Sequence, residues 1–309
     1  MAAEHDHDHS RGGHSHHTPP DDPGRAFVIG IGLNVAFVIA ETIAGFVADS
    51  TALLADAAHN LGDVLGLAMA WGATVLARRT RTARRTYGLR RTTILAGLAN
   101  AMLILVVVGG VTWEAVRRIN EPSHVDGGIV AIMAAVGVAI NLGAAQLFAS
   151  GRDRDVNRRG AYLHLLADAA VSAGVVVAGV IVWQTGWNWI DPVTSIVVSL
   201  VILFGTITLL RDALNLLLDG VPAHIDPEAV ESYLAGLPNV QGVHDLHIWS
   251  MSTTEVALTA HVVMPWTLCT PTFLRDAELE IEQRFGIAHT TIQIEPIDDA
   301  ECRQSGERV

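Results

Sequence analysis

The chain has 309 residues, 50% of them hydrophobic and 17% charged, with a mean hydropathy of +0.36. That balance excludes an ordinary soluble enzyme and points to a protein that crosses a bilayer several times. The formal net charge of −12 is uneven: residues 212–309 hold sixteen acidic and four basic side chains, while residues 1–211 hold sixteen of each. The acidity therefore belongs to a tail domain, which argues against nucleic acid as a partner. All twenty basic residues are Arg, and Cys269 and Cys302 stand alone without a CxxC, so no disulfide framework is implied.

Residues 1–24 carry His5, His7, His9, His14, His16 and His17 among Asp, Ser, Gly and Pro. This stretch is too polar to bury a core and is expected to be a disordered tail, either a transient catcher of divalent metal or a solvated arm. Six apolar segments follow, at 26–48, 51–77, 92–118, 127–149, 160–183 and 189–211. Each reaches the roughly 20 residues needed to span hydrocarbon. Seven Arg lie between Arg78 and Arg91, and four more lie in residues 151–160. By the positive-inside rule both loops are cytoplasmic, which places both termini there too; Arg117 and Arg118 run against the rule at the external side. The expected organisation is a tail at 1–24, a transmembrane domain at 25–211, a linker at 212–222, a cytoplasmic α+β domain at 223–300 and a C-terminal tail at 301–309.

Within the second segment, His59 and Asp63 are four residues apart, one helical turn, and so share a face. The fifth segment repeats the arrangement at His164 and Asp168. A single polar pair in a membrane helix is often packing glue. Two matched copies on facing helices supply two imidazoles and two carboxylates, the donor set of a tetrahedral Zn²⁺ site. The word LLADAA occurs in both segments but aligns Asp168 with Asp56, so the repeat alone does not choose between Asp56 and Asp63. Asp56 reads as a carboxylate on the pathway or behind the ligands. Glu41, Asn34, Asn100, Asn141 and Glu114 read as interhelical hydrogen-bonding or interfacial groups.

After Gly220 and Pro222, Asp226–Pro227 and Pro271 start helices, and strands are expected at 242–250, 255–264 and 289–295. Side-chain alternation groups His247, His261 and Glu295 on one sheet face, with His289 nearby and His244 undecided at the start of its strand. The alternative is a solvated polar face.

The chemistry of the buried set is exchange. Two Asp⁻ and two neutral imidazoles carry −2 when empty, which is costly in hydrocarbon, and a divalent ion brings the charge to zero. Protons compete for the same groups, so metal and protons become alternative occupants. Nitrogen plus carboxylate favours Zn²⁺, with Cd²⁺ and Co²⁺ as further cargo. An intramembrane metalloenzyme is the competing reading, but HExxH is absent and four protein ligands close the metal. A membrane-anchored metal sensor would not need buried ligand pairs.

Six spans, a matched HxxxD in the second and fifth, an Arg-rich loop ending in YGLRR, and the tail words VHDLHIW, TAHVVM and HTTIQIE resemble the cation diffusion facilitator family. The resemblance covers nearly everything after the N-terminal tail and is close to the bacterial zinc and cadmium resistance branch and the animal zinc transporters. It implies a polytopic α-helical membrane protein with six transmembrane helices and a C-terminal cytoplasmic α+β, metallochaperone-like domain. It also implies a homodimer that exports Zn²⁺ in exchange for protons and a tail domain that binds Zn²⁺ as a structural or regulatory ion. Carried over by position, the transport ligands are His59, Asp63, His164 and Asp168; the tail set draws on His244 or His247 with His261, His289 and Glu295. Thr92 and Thr93 stand where the family commonly has an acidic residue, and the Arg-rich loop lacks the His and Asp of an extra metal site.

Overall fold

A computed structural model describes residues 23–121, 123–149 and 156–296. The six N-terminal histidines and Cys302 lie outside the described residues. Six long helices come first: α1 (Pro23–Val47), α2 (Thr51–Ala77), α3 (Thr92–Asn120), α4 (Gly127–Ala149), α5 (Val156–Thr185) and α6 (Ile190–Leu217). Among the described residues, five are long and apolar enough to cross a membrane, and Gly32–Val47 of α1 is a shorter apolar helix. Only 11–39% of each spanning window is buried by protein, so most of this apolar surface faces lipid. α6 continues to Leu217, past the expected boundary at 211, and ends with Leu218 N donating to Leu214 O.

Helix packing sets the stage for the site. α4 and α5 form the closest hairpin, α3 packs on α6, and α2 sits between α1, α3, α6 and α5. Small residues bring α4 and α5 together: a Cβ on Gly127 would lie 2.4 Å from Trp183 N, and one on Gly179 would lie 2.7 Å from Ala131 N. α2 begins at the turn after Asp49, with Ser50 as its N-cap accepting from Leu53 N at 3.1 Å. Asp191, at the start of α6, caps the same end from outside, accepting from Ser50 Oγ, Thr51 N (2.7 Å) and Thr51 Oγ1 (2.8 Å). Arg118 ties α3 to this corner through Asp49 (2.7 Å) and is held by Glu114 (3.0 Å) one turn back on the same helix, which accounts for an arginine on the side where the charge rule did not expect one.

The tail domain contains α7 (Pro227–Ala235), β1 (Gly242–Ser250), β2 (Val256–Val263), α8 (Pro271–Phe285) and β3 (His289–Glu295). Its caps are those the sequence advertises: Asp226 accepts from Glu228 N, Thr270 accepts from Phe273 N, and Gly286 ends α8 at φ 72°. β1 and β2 are antiparallel, β2 and β3 parallel, in the order β1-β2-β3. Val230, Leu234, Ile248, Leu258, Ala260 and Ile281 form the core between sheet and helices. The opposite face carries the histidines.

Candidate metal centres

α2 and α5 meet so that their two HxxxD pairs oppose each other. His59 Nε2 lies 3.0 Å from Asp168 Oδ1 and 3.9 Å from Asp63 Oδ2; His164 Nε2 lies 3.7 Å from Asp63 Oδ2 and 3.5 Å from Asp168 Oδ2. The two imidazoles stand edge-on, with centroids 6.4 Å apart. A tetrahedron with bonds of about 2.05 Å has edges of about 3.3 Å, so these separations are close to those of donors around one small ion. His59, Asp63 and Asp168 offer donor atoms that all lie within 4.8 Å of one another. Exposure divides the four: the side chains of Asp168 (8%) and His59 (19%) are enclosed, while Asp63 (42%) and His164 (55%) are open. Both open residues lie one turn nearer the ends of α2 and α5 that adjoin the arginine-bearing loops.

Asp56 does not join the four. It is 1% exposed, and its Oδ2 accepts from Ser172 Oγ at 2.9 Å. Behind it lies Glu41, 0% exposed, whose Oε2 accepts from Asn60 Nδ2 at 2.9 Å. By sequence Glu41 is one of several packing groups; its position, beside Asn60 and close to Asp56 on a neighbouring helix, has no signature in spacing along one chain. Asn141 and Asn100 are also buried, and Glu114 is spent on Arg118.

In the tail domain, a β-bulge overrides simple alternation. His244 pairs with His261 but His247 pairs with Thr259, so β1 spends three steps where β2 spends two. Asp245, at φ 52°, absorbs the extra residue. The bulge puts His244 on the same face as His261 and His247, although parity had set His244 and His247 on opposite faces. His244, His261 and Glu295 converge, with His244 Nε2 at 2.9 Å from Glu295 Oε2 and His261 Nδ1 at 2.8 Å from Glu295 Oε1. The second of these is too poorly aligned to be a hydrogen bond, as expected of two donors aimed at a common third point. His247 instead meets Asp245 Oδ1 at 3.0 Å, and Asp245 Oδ2 lies 3.6 Å from His261 Nε2. Sequence reading did not single out Asp245; the acid inside the HDLH word was its signal. His289 lies apart, opposite Ala257, six positions down the strand from Val263↔Glu295 and four from His261↔Gln293, and stacks edge-on against Tyr87 at 5.9 Å.

Comparison with known proteins follows the same division of the chain. Residues 27–218 match the family model described as the cation efflux transmembrane domain, and residues 222–297 match that of the cation efflux protein, cytoplasmic domain. The metal cation efflux system protein CzcD of Cupriavidus metallidurans is 36% identical over 299 residues, covering 94% of this chain and 93% of that protein. The cadmium, cobalt and zinc/H(+)-K(+) antiporter of Bacillus subtilis is 33% identical, with 92% of each chain covered. Zinc transporter ZitB of Escherichia coli is 35% identical, with 95% of each covered.

Proposed function

The chain belongs to the cation efflux family, a family of transporters and not of enzymes, and from that premise we propose that it exports Zn²⁺ from the cytoplasm in exchange for protons. Cd²⁺ and Co²⁺ are further cargo, in keeping with the relatives named for those metals. The observation that carries this reading is the opposed His59–Asp63 and His164–Asp168 pairs, whose donor atoms stand 3.0–3.9 Å apart across α2 and α5.

The exchange follows from the donors. Ligation needs neutral imidazole and ionised carboxylate, so arrival of M²⁺ displaces protons and departure of M²⁺ leaves −2 that recruits them. Neither fully charged extreme persists at this depth. Four protein donors close the coordination sphere and leave no open position for an activated water, which favours carriage over hydrolysis. The open pair, Asp63 and His164, faces the arginine-loop side, while the Asp191 cap and the Arg118 corner hold the other end shut. We read this as the conformation open to the cytoplasm, with both termini on that side.

His244, His261 and Glu295 form the tail-domain site for a structural or regulatory Zn²⁺, with Asp245 and His247 beside it. Two imidazole nitrogens and one carboxylate suit Zn²⁺ and leave one position for a further donor. The domain joins two copies into a homodimer.

The test is Zn²⁺ uptake by the purified protein in liposomes loaded with a metal-sensitive dye. Alanine at His59, Asp63, His164 or Asp168 is expected to cut uptake by more than the roughly 10–100-fold that loss of a mere outer partner costs. Uptake that survives both Asp63→Ala and Asp168→Ala sinks the site assignment.

A further inference from the structure

Glu41 and Asp56 bring two carboxyl groups together at 0% and 1% exposure, inside the apolar part of the helix bundle. Each has one neutral donor: Asn60 Nδ2 for Glu41 Oε2 and Ser172 Oγ for Asp56 Oδ2, both at 2.9 Å. Glu41 Oε1 is buried and meets no N–H or O–H, and Asn60, which donates to the other oxygen, lies one turn after Asp56 on the same face of α2, so the two carboxyls are neighbours. Two bare carboxylates sharing one amide and one hydroxyl at this depth are prohibitively costly, so the pair holds a proton in this arrangement.

The pair is distinct from the ligands but adjoins them. Asp56 is three residues before His59 on α2, and Ser172 is four after Asp168 on α5, so the pair stands one turn away from the four candidate ligands, on the side held shut. Of the helices packed on α1, α4 contributes no titratable side chain and α2 contributes Asp56, His59 and Asp63. The charged groups acting on Asp56 from its surroundings are His59 and, from α5, Asp168.

We propose that Glu41, facing Asp56, is a proton-binding residue of the transport cycle that carries a proton separate from those competing for the metal ligands. When M²⁺ enters the four-residue site, the positive charge it brings in excess of the protons it displaces from the ligands drives the shared proton out to water; when M²⁺ departs, that excess is lost and a proton returns between the two carboxyls. The proposal rests on the antiport reading and adds to it a second titrating element and a route by which ligand occupancy is felt on α1.

Glu41→Gln replaces the protonated acid by an uncharged group of the same shape, able to accept from Asn60 and donate to Asp56. The experiment titrates Zn²⁺ into weakly buffered full-length protein and records Zn²⁺ bound and protons released, in a background where His261→Ala removes the tail-domain site. Glu41→Gln is expected to bind Zn²⁺ and release about one proton fewer per ion, with a correspondingly shallower pH dependence of affinity. Glu41→Asp is expected to regain most of that release. Unchanged release in Glu41→Gln overturns the proposal, and so does loss of all Zn²⁺ binding, which would make Glu41 part of the ligand framework. If the parent protein itself releases no protons, the antiport reading fails along with it; release by the parent with no change in the variant sinks the Glu41 assignment alone.

Discussion

At the scale of single residues, spacing carried information where partners lie one turn apart on one element, and lost it where they meet across elements. His59 with Asp63 and His164 with Asp168 were visible because an i, i+4 pair in an apolar run has few structural excuses. The choice between Asp56 and Asp63 was not visible in the LLADAA repeat. It turns on which carboxylate reaches across to α5's imidazole, and Asp63 does so at 3.7 Å while Asp56 is engaged by Ser172. In the tail domain the alternation of side chains assumed an unbroken ladder, and one bulge at Asp245 was enough to move His244 next to Glu295. A prediction follows at this scale. In full-length protein lacking the transport carboxylates, calorimetry is expected to show Zn²⁺ binding to the tail domain that is lost in His261→Ala and in His244→Ala. His247→Ala, one contact further out, is expected to weaken it by only about 10–100-fold. Equal losses at His244 and His247 would mean that the bulge does not decide the ligands.

Elements were the most legible level. The six apolar segments and the Pro- and Asp-led starts of α7 and α8 appear within a few residues of their expected positions, because hydrophobic length and caps act locally. Boundaries slipped where helices run beyond the hydrocarbon into polar sequence, as α6 does to Leu217. How closely helices pack depends on which small residue meets which backbone, and no periodicity announces that. Gly179 is such a contact, with a virtual Cβ 2.7 Å from Ala131 N, whereas Gly174 on the same helix has open space around it. Gly179→Leu is therefore expected to push α4 from α5 and lower thermal stability by about 1–3 kcal/mol. Gly174→Leu is expected to leave the melting curve nearly unchanged; similar losses in both would show that helix propensity and not close approach is what matters.

For the whole molecule, sequence gave the order of parts but not how the cytoplasmic domain touches the membrane bundle. The Arg-rich loop does more than set topology. Arg91 pairs with Asp219 below α6, Arg90 Nη1 meets Glu255 Oε2 at 2.8 Å, and Thr253 N donates to Thr93 Oγ1 at 3.1 Å. Thr93 thus receives the β1–β2 turn directly. Tyr87 against His289 completes a contact that joins the loop after α2, the helix with His59 and Asp63, to the sheet that carries His261. These pairings bring together segments more than 120 residues apart, beyond the reach of any local pattern.

The account as a whole stands on metal and protons being alternative occupants of the α2–α5 site. The most direct test is Zn²⁺ movement and internal pH recorded together in liposomes carrying the full-length protein, with the imposed pH gradient set in one direction, abolished, and then reversed. The account predicts that Zn²⁺ moves against the proton gradient, reverses when the gradient reverses, and carries an opposite proton flux that disappears in Asp168→Ala. Zn²⁺ movement indifferent to the gradient, or unaccompanied by protons, would contradict it.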